Sequence, residues 1–241
     1  MAKVKICGIT NFQDASDAVM LGADFLGFNF YKKSKRKLSL DNALEIITKL
    51  PPVFSPVGIF VDDEMNTIMQ IVQKCKLNAV QLHGNETPEY CTELSAQLKP
   101  QNVKIIKAFN MKGAETLAQM EKYIDSADYF LIDSYVEGEA GGTGVSMQDQ
   151  LIPAANPDEQ PAQNEQTTPE KPELSGWDLA IEAKKFNKPI FLAGGLTPDN
   201  VEEAIEKVLP FAVDVATGVE RLPRRKDYDK LKKFITSSKG Y

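Results

Sequence analysis

The chain has 241 residues, enough to bury a sizeable core, and its 42% hydrophobic and 26% charged residues are typical of a soluble globular protein. This composition excludes wholesale disorder, and no apolar run approaches the roughly 20 residues that a membrane-spanning helix needs. The formal net charge of −6 argues against a general electrostatic affinity for nucleic acid, so we expect neither nucleic acid nor a membrane as partner.

The first residues lead into a strand-sized apolar run rather than into the longer apolar region of a secretory signal. Eight such runs, rich in Val, Ile and Phe, occur along the chain. Each is followed by a longer segment in which apolar residues recur at helical spacing. The runs predict strands over residues 4–7, 25–30, 56–61, 79–82, 103–107, 129–133, 189–193 and 211–215.

Eight strand-then-helix units imply parallel strands joined by helical crossovers. An open doubly wound sheet of this pattern usually has five or six strands, whereas eight strands close naturally into a (β/α)₈ barrel of about 250 residues. We therefore predict an α/β protein in which residues 1–241 form one single-domain TIM barrel. In that fold the functional side chains lie where the strands end and the following loops begin.

Helix ends carry signals of their own. Residues 14–21 have helical spacing and are followed by Gly22, a residue type that often closes helices. Thr87-Pro88 and Thr197-Pro198 each place a capping hydroxyl before a proline at the first helical position. Two later helices should therefore begin at these prolines.

One segment does not fit a barrel unit. Residues 147–175, in the loop after the sixth predicted strand, are rich in Pro, Gln and Glu. Such a composition cannot bury enough surface to offset the entropy of ordering it, so we expect a mobile insertion; a docking site for a partner is the alternative. Residues 147–176 hold six acidic residues and one lysine, a net charge of −5, so the rest of the chain is nearly neutral.

The three cysteines, Cys7, Cys75 and Cys91, cannot all pair within one chain, and their spacing matches neither a zinc motif nor a C-x-x-C redox pair. A reducing compartment fits this usage, and we expect a cytoplasmic protein. Because His83 is the only histidine, a histidine-rich metal site is excluded.

Several residues with chemical potential stand where predicted strands end, and a barrel would bring them to one mouth. Cys7 ends the first strand and is either a small core residue or a thiol that faces the cavity. Asp133 ends the sixth strand and is either a loop cap or a general acid, because apolar walls raise the pKa of a carboxyl group and preserve its proton. The others are His83, Gly194, Gly195, Thr217 and Gly218.

Two glycine-bearing loops, residues 191–198 and 215–219, follow the last two strands. Glycine lets backbone N–H groups approach an anion, a following helix N-terminus adds a favourable dipole, and phosphate sites recur at these loops of the fold. We therefore expect a phosphorylated small molecule to bind there. Residues 32–37, after the second strand, include four lysines and Arg36. They form either a solvent-exposed face or a carboxylate-binding site, for which the planar guanidinium of Arg36 is best suited.

These residues lie in motifs that resemble those of the phosphoribosylanthranilate isomerases, (β/α)₈ enzymes of tryptophan biosynthesis. The matching motifs extend from one end of the chain to the other. They are KICGIT (5–10), GADFLGFNFY (22–31), KSKR (33–36), VQLHG (80–84), LID (131–133), GGTG (141–144), LAGGL (192–196), FAVDV (211–215) and GVE (218–220).

The resemblance implies an Amadori rearrangement of N-(5-phosphoribosyl)anthranilate to 1-(2-carboxyphenylamino)-1-deoxyribulose 5-phosphate, with no metal or organic cofactor. By position, Asp133 matches the general acid that protonates the ribose ring oxygen, and Cys7 matches the general base that removes the C2 proton. Arg36 matches the residue that binds the anthranilate carboxylate. His83 would lie near the substrate without a chemical role, a purely structural histidine being the alternative. Cys7 would need a pKa low enough to supply thiolate.

The sequence also departs from the family pattern. DVATGVE stands at 214–220 where DVSSGVE is usual, Val145 replaces a lysine, and Trp177-Asp178 follows only after the insertion. Two other functions stay open: a different sugar-phosphate barrel enzyme such as a ribulose-phosphate epimerase, and a phosphate-binding barrel without catalysis whose insertion recruits a partner. The first class commonly needs histidines and a metal. We expect a monomer or a homodimer.

Overall fold

Eight parallel strands, alternating with helices, close into a barrel in which every strand pairs with two neighbours. The computed structural model describes residues 1–111, 113–134, 151–152 and 174–240. The last barrel strand pairs with the first, with Lys3 opposite Ala212 and Ile6 opposite Val215. The predicted (β/α)₈ architecture is therefore confirmed.

The barrel strands lie close to the predicted positions. They are β1 Lys3–Ile6, β2 Phe25–Asn29, β3 Ser55–Phe60, β4 Ala79–Leu82, β5 Lys104–Met111, β6 Tyr129–Ser134, β7 Ile190–Leu192 and β8 Ala212–Val215. The helices are α1 Phe12–Met20, α2 Leu40–Lys49, α3 Met65–Cys75, α4 Pro88–Leu98, α5 Ala114–Glu121, α6 Gly176–Glu182, α7 Val201–Val208 and α8 Tyr228–Lys239. Short 3₁₀ helices cover Lys99–Gln101, Ala183–Phe186 and Thr217–Val219. Among the helices in the described ranges, none is both long and apolar enough to cross a membrane.

Strand β5 is longer than the predicted segment 103–107. Its pairing with β6 continues through Asn110 opposite Asp133 and Met111 opposite Ser134. The apolar run gave no sign of this extension, because the additional residues include the polar Asn110. The extension matters for the site, since it carries Asn110 to the end of the barrel where Asp133 lies.

Two of the three predicted helix signals are confirmed. Gly22 has a φ of +100° directly after α1, and the Thr87 side chain accepts a hydrogen bond from the N–H of Tyr90 at the start of α4. The prediction at Thr197-Pro198 was wrong, because α7 begins at Val201. The Asn200 side chain explains the delay: its Oδ1 accepts from the Thr197 N–H at 2.8 Å and its Nδ2 donates to the Gly195 carbonyl at 3.1 Å, which closes a turn before the helix.

Alternation along the strands separates two apolar layers. Side chains such as Val4, Ile6 and Phe28 face outward and pack in the core beneath the helices. Inside the barrel, an aromatic cluster of four rings packs at centroid distances of 5.2 to 6.5 Å towards the amino ends of the strands. Its members are Phe25, Tyr129, Phe191 and Phe211. The cluster fills this end of the barrel interior.

The predicted insertion at residues 147–175 lies largely outside the described residues, as do the GGTG motif and Val145. At its two ends, Leu151–Ile152 pairs antiparallel with Leu174–Ser175. Ser175 then begins α6 with a capping box, in which its hydroxyl accepts from the Asp178 N–H and the Asp178 carboxylate accepts from the Ser175 N–H. A second short antiparallel pair, Glu220–Leu222 with Arg225–Lys226, follows β8. We call residues 220–226 the post-β8 hairpin.

We expect Phe191→Ala to lower the free energy of unfolding by about 3–5 kcal/mol, because its fully buried ring contacts the other three rings of the aromatic cluster. Val53→Ala is the control, since Val53 is 70% exposed and its truncation should change stability by less than about 0.5 kcal/mol. Urea denaturation followed by circular dichroism measures both. Equal losses in the two variants would contradict the assigned packing.

Candidate active site

The carboxyl ends of the strands surround one open cavity, whose empty volume of about 840 Å³ includes its mouth. A concave site in which a few polar groups converge among apolar ones is typical of small-molecule binding. All eight residues predicted for the site line this cavity: Cys7, Arg36, His83, Asp133, Gly194, Gly195, Thr217 and Gly218. Cys75 and Cys91 are instead fully buried in α3 and α4, as packing residues should be.

Cys7 directly follows β1 and is fixed by its backbone, because its N–H donates to the Val215 carbonyl of β8 at 2.8 Å. The thiol lies against β2: a Cβ atom at Gly27 would come within 3.0 Å of the Cys7 sulfur. Glycine at this position therefore makes room for the thiol. Asp133 enters the same cavity from β6, three strands away around the wall through β8 and β7.

The environment of Cys7 favours the thiol over the thiolate. Burial raises the pKa of Cys7 above its usual value, and nearby Asp214 raises it further, while Lys5 and Lys226 act in the opposite direction. The pKa of Cys7 is therefore shifted upward, whereas a cysteine that supplies thiolate readily has a lowered pKa. The need for a lowered Cys7 pKa could be stated from the sequence. The direction of the actual pKa shift depends on charged side chains that the fold brings close to the thiol.

His83 is held as a neutral ring. Burial first, and then the positive charges of Lys107 and Lys5, lower its pKa to about 4. The Gln81 amide nitrogen lies 2.8 Å from Nδ1, so with Gln81 as donor Nδ1 accepts and Nε2 carries the proton. Nε2 lies 3.8 Å from a carboxylate oxygen of Asp133. Gln81 had no role in the sequence analysis, although its place two residues before His83 on β4 puts both side chains on one face.

Arg36 lines the cavity with part of its guanidinium already engaged. Nε and Nη2 donate to the two carboxylate oxygens of Glu220 at 2.7 and 2.6 Å, and Nη2 also donates to the Thr217 hydroxyl at 3.1 Å. These hydrogen bonds raise the pKa of Arg36 above its usual value. The edge formed by Nε and Nη2 is therefore occupied, and Nη1 is the nitrogen without a hydrogen bond among those described.

A second buried cation, Lys226, ties the post-β8 hairpin to the cavity loops. Its Nζ donates to the Cys7 carbonyl at 2.7 Å and to the Ala216 carbonyl at 2.8 Å, and it lies 3.4 Å from Glu220. Burial lowers the pKa of Lys226, although the Glu220 carboxylate opposes the shift. Nothing in the sequence singled out Lys226, because it follows the last predicted strand. Glu220 stood in the GVE motif, but no role could be assigned to it.

The two glycine loops have the expected backbone geometry. Gly194 and Gly195 both have positive φ, +87° and +65°, a conformation that glycine adopts without strain. A Cβ at Gly218 would lie 2.0 Å from the Leu196 carbonyl oxygen, so the two loops touch and only glycine fits. No α-helix begins directly after either loop; after β8 the 3₁₀ helix Thr217–Val219 stands in its place. Within the described ranges, no group of three or more His, Cys, Asp or Glu side chains could hold a metal ion.

The sequence of this chain matches a known protein family over most of its length. The family description of N-(5'-phosphoribosyl)anthranilate (PRA) isomerase matches residues 4–163 and 173–237. An N-(5'-phosphoribosyl)anthranilate isomerase of Geotalea uraniireducens is 41% identical over 240 residues, which cover 100% of both chains. The chain belongs to the N-(5'-phosphoribosyl)anthranilate isomerase family. The gap in the family match, residues 164–172, falls inside the predicted insertion.

Solved structures of the isomerase family have the same fold over the whole chain. Phosphoribosyl anthranilate isomerase from Thermotoga maritima is 34% identical, with a TM-score of 0.81 over 100% of both chains. A family structure in complex with reduced 1-(o-carboxyphenylamino)-1-deoxyribulose 5-phosphate is also 34% identical, with a TM-score of 0.78 and 100% coverage of both chains. The resemblance identified in the sequence is therefore confirmed.

We expect the His83 ring to titrate with a midpoint of about 4 in the folded protein. Because the chain has one histidine, its imidazole resonances in an NMR pH titration are unambiguous. The unfolded chain takes up this proton below about pH 6.5, whereas the folded chain does so only near pH 4. The contribution to stability is therefore lost as the pH falls between these values, by about 3 kcal/mol in total.

His83→Asn should remove this part of the pH dependence, which urea denaturation at pH 7 and pH 4 would measure against the wild type. A folded-state midpoint near 6.5, or an unchanged difference in stability between the two pH values, would contradict the assigned environment.

Proposed function

We propose that the cavity of this chain carries out the Amadori rearrangement of N-(5'-phosphoribosyl)anthranilate to 1-(2-carboxyphenylamino)-1-deoxyribulose 5-phosphate, with Cys7 as base and Asp133 as acid. The chain is an isomerase of tryptophan biosynthesis, as its family match over most of its length indicates. The single observation that carries the residue assignment is the common cavity, in which a thiol, a carboxyl group and two glycine loops meet.

In the first step Asp133 donates its proton to the ring oxygen of the ribose. The bond between that oxygen and C1 breaks, and the nitrogen lone pair forms a C1=N iminium. Asp133 lies on β6 and lines the cavity, so its carboxyl group is placed to act as the general acid on a bound sugar.

In the second step the Cys7 thiolate removes the proton from C2, which the neighbouring iminium acidifies. The C2–H electrons form the C1=C2 double bond of an enolamine, and the C1=N electrons return to nitrogen. The C2 hydroxyl then loses its proton while C1 gains one, which gives the ketone. No atom is gained or lost, and each positioned proton-transfer group is worth roughly 10²- to 10⁴-fold in rate.

The two anionic ends of the substrate bind to different walls. The phosphate accepts hydrogen bonds from backbone N–H groups around Gly194, Gly195, Thr217 and Gly218, where glycine lets the backbone approach an anion closely. The anthranilate carboxylate binds Arg36 through Nη1, because Glu220 occupies the other edge. Glu220 thereby fixes the orientation of the guanidinium, a positioning role absent from the sequence-based prediction.

His83 contributes no proton transfer. A ring that is neutral above about pH 4 and accepts a hydrogen bond from Gln81 at Nδ1 presents Nε2–H as a fixed donor beside Asp133. We assign it a role in orienting the substrate near the acid.

The proposal extends to the setting of the protein. Three free cysteines fit a reducing compartment, so we assign the chain to the cytoplasm. The expected assembly, a monomer or a homodimer, stays a prediction that light scattering of the purified protein would test. The family match over the whole barrel favours the isomerase over an epimerase or a barrel without catalysis.

We expect Cys7→Ser and Asp133→Asn each to lower kcat by at least about 10²-fold, because each removes one proton-transfer group. The loss of phosphoribosylanthranilate fluorescence measures turnover, and circular dichroism checks that each variant folds. Cys75→Ser is the matched control, since this cysteine is buried at the end of α3 and should leave kcat within about twofold of the wild type. A fully active Cys7→Ala enzyme would refute the assigned base.

A further inference from the structure

A buried ion pair lies inside the barrel next to Cys7. Lys5 and Asp214 are register partners on β1 and β8, and Lys5 Nζ lies 3.0 Å from both carboxylate oxygens. The Lys5 side chain is 0% exposed, and Asp214 borders the cavity. The pair therefore separates the aromatic cluster from the site.

Stability alone is a weak reason for such a pair. Burying two charges costs about as much as their attraction returns, and well-packed apolar residues of similar volume often stabilise a protein as well or better. The position of Lys5 offers another reason. Lys5 and Cys7 are two residues apart in extended backbone, so their side chains face the same side about 6.6 Å apart along the chain.

The hydrogen-bonding capacity of Lys5 also fits a second partner. An ammonium group has three N–H donors, and the two oxygens of Asp214 account for two of them. The remaining donor is available to a negatively charged sulfur. Burial alone would lower the pKa of Lys5, but Asp214 and Cys7 together raise it above its usual value, so the lysine stays charged inside the barrel.

Other charges face Cys7 from the elements packed around it. From the post-β8 hairpin, Lys226 contacts the Cys7 carbonyl, and from the loop after β2 the Arg36 side chain lies against Gly8. Asp214 approaches from β8, and Asp133 and His83 line the same cavity. Most of these charges are already paired: Arg36 and Lys226 share Glu220. Lys5 lies on the same strand face as the thiol, two residues from it, whereas Lys3 on that face is four residues away.

We propose that Lys5 is a positioning residue for the base: its ammonium, kept charged by Asp214, stabilises the thiolate of Cys7. This inference rests on the proposed function in so far as it names Cys7 as the base. The burial that protects the site from water disfavours thiolate, and the Lys5 charge offsets part of that cost. Asp214 disfavours the thiolate directly, but its carboxylate preserves the lysine charge and so also acts on Cys7 through Lys5.

The pH dependence of Cys7 alkylation tests this proposal. The protein is treated with iodoacetamide from pH 7 to pH 11, and mass spectrometry of the peptide that contains Cys7 gives its rate separately from Cys75 and Cys91. For the wild type we expect a midpoint above that of an exposed cysteine, because burial raises the pKa of Cys7. Lys5→Met should move the midpoint upward by about one pH unit. At any pH well below the midpoint, the thiolate fraction of Cys7 would then be about tenfold smaller than in the wild type.

Lys5→Met leaves the Asp214 carboxylate buried without its partner and can fail to fold. Lys5→Met/Asp214→Asn removes both charges with little change in volume and is the second variant. Its midpoint should also rise, because Lys5 affects Cys7 more strongly than Asp214 does. Lys3→Met is the matched control: it removes a lysine from the same strand about 13 Å from Cys7, beyond the screening length at physiological salt, so its midpoint should equal that of the wild type.

The outcomes separate this inference from the proposed function. A midpoint in the double variant equal to that of Lys3→Met, or below it, overturns the role of Lys5 even if Cys7→Ser is inactive. If Cys7→Ser retains full turnover, the assigned base is wrong, while a raised midpoint in the Lys5 variants still establishes the interaction with Cys7. If both results agree with the account, the pH profile of kcat/KM should shift with the alkylation midpoint, at a nearly unchanged KM.

Discussion

The pairing of β1 with β8 is the contact on which the site depends. It joins residues from the two ends of the chain, so that Lys5 bonds to Asp214 and the Cys7 N–H bonds to the Val215 carbonyl. The post-β8 hairpin strengthens this junction from outside the barrel, where Lys226 holds the carbonyls of Cys7 and Ala216. The thiol is therefore positioned by contacts more than 200 residues away in sequence, and loosening the closure would displace it from the glycine loops.

The same junction places paired charges beside the cavity. Arg36 and Lys226 share the carboxylate of Glu220, whose pKa is lowered by these two cations against the effect of burial. In the proposed function, the backbone N–H groups of the glycine loops are the principal donors for the phosphate, because these positive charges are largely neutralised.

Much of the fold and the membership of the cavity could be predicted from the sequence. The eight β runs, each followed by a helical segment, favour a parallel barrel over an open sheet of five or six strands, and residues at strand ends such as Cys7 and Asp133 then meet at one end of it. The prediction failed where distant side chains decide the outcome. Asn200 delays α7, and the pairing with β6 extends β5. The engagement of Arg36 by Glu220 and the direction of the Cys7 pKa likewise depend on neighbours that no local pattern reveals.

The central claim is that the thiol and the carboxyl group act on one sugar whose phosphate lies on the glycine loops. The most direct test is a crystal structure of this chain with reduced 1-(o-carboxyphenylamino)-1-deoxyribulose 5-phosphate, the compound bound in its relative. The account predicts the Cys7 sulfur about 3–3.5 Å from C2, the Asp133 carboxyl group on the other side of the sugar chain, and the phosphate at Gly194, Gly195 and Gly218. A sulfur turned away from C2, or a phosphate bound at another wall of the cavity, would contradict it.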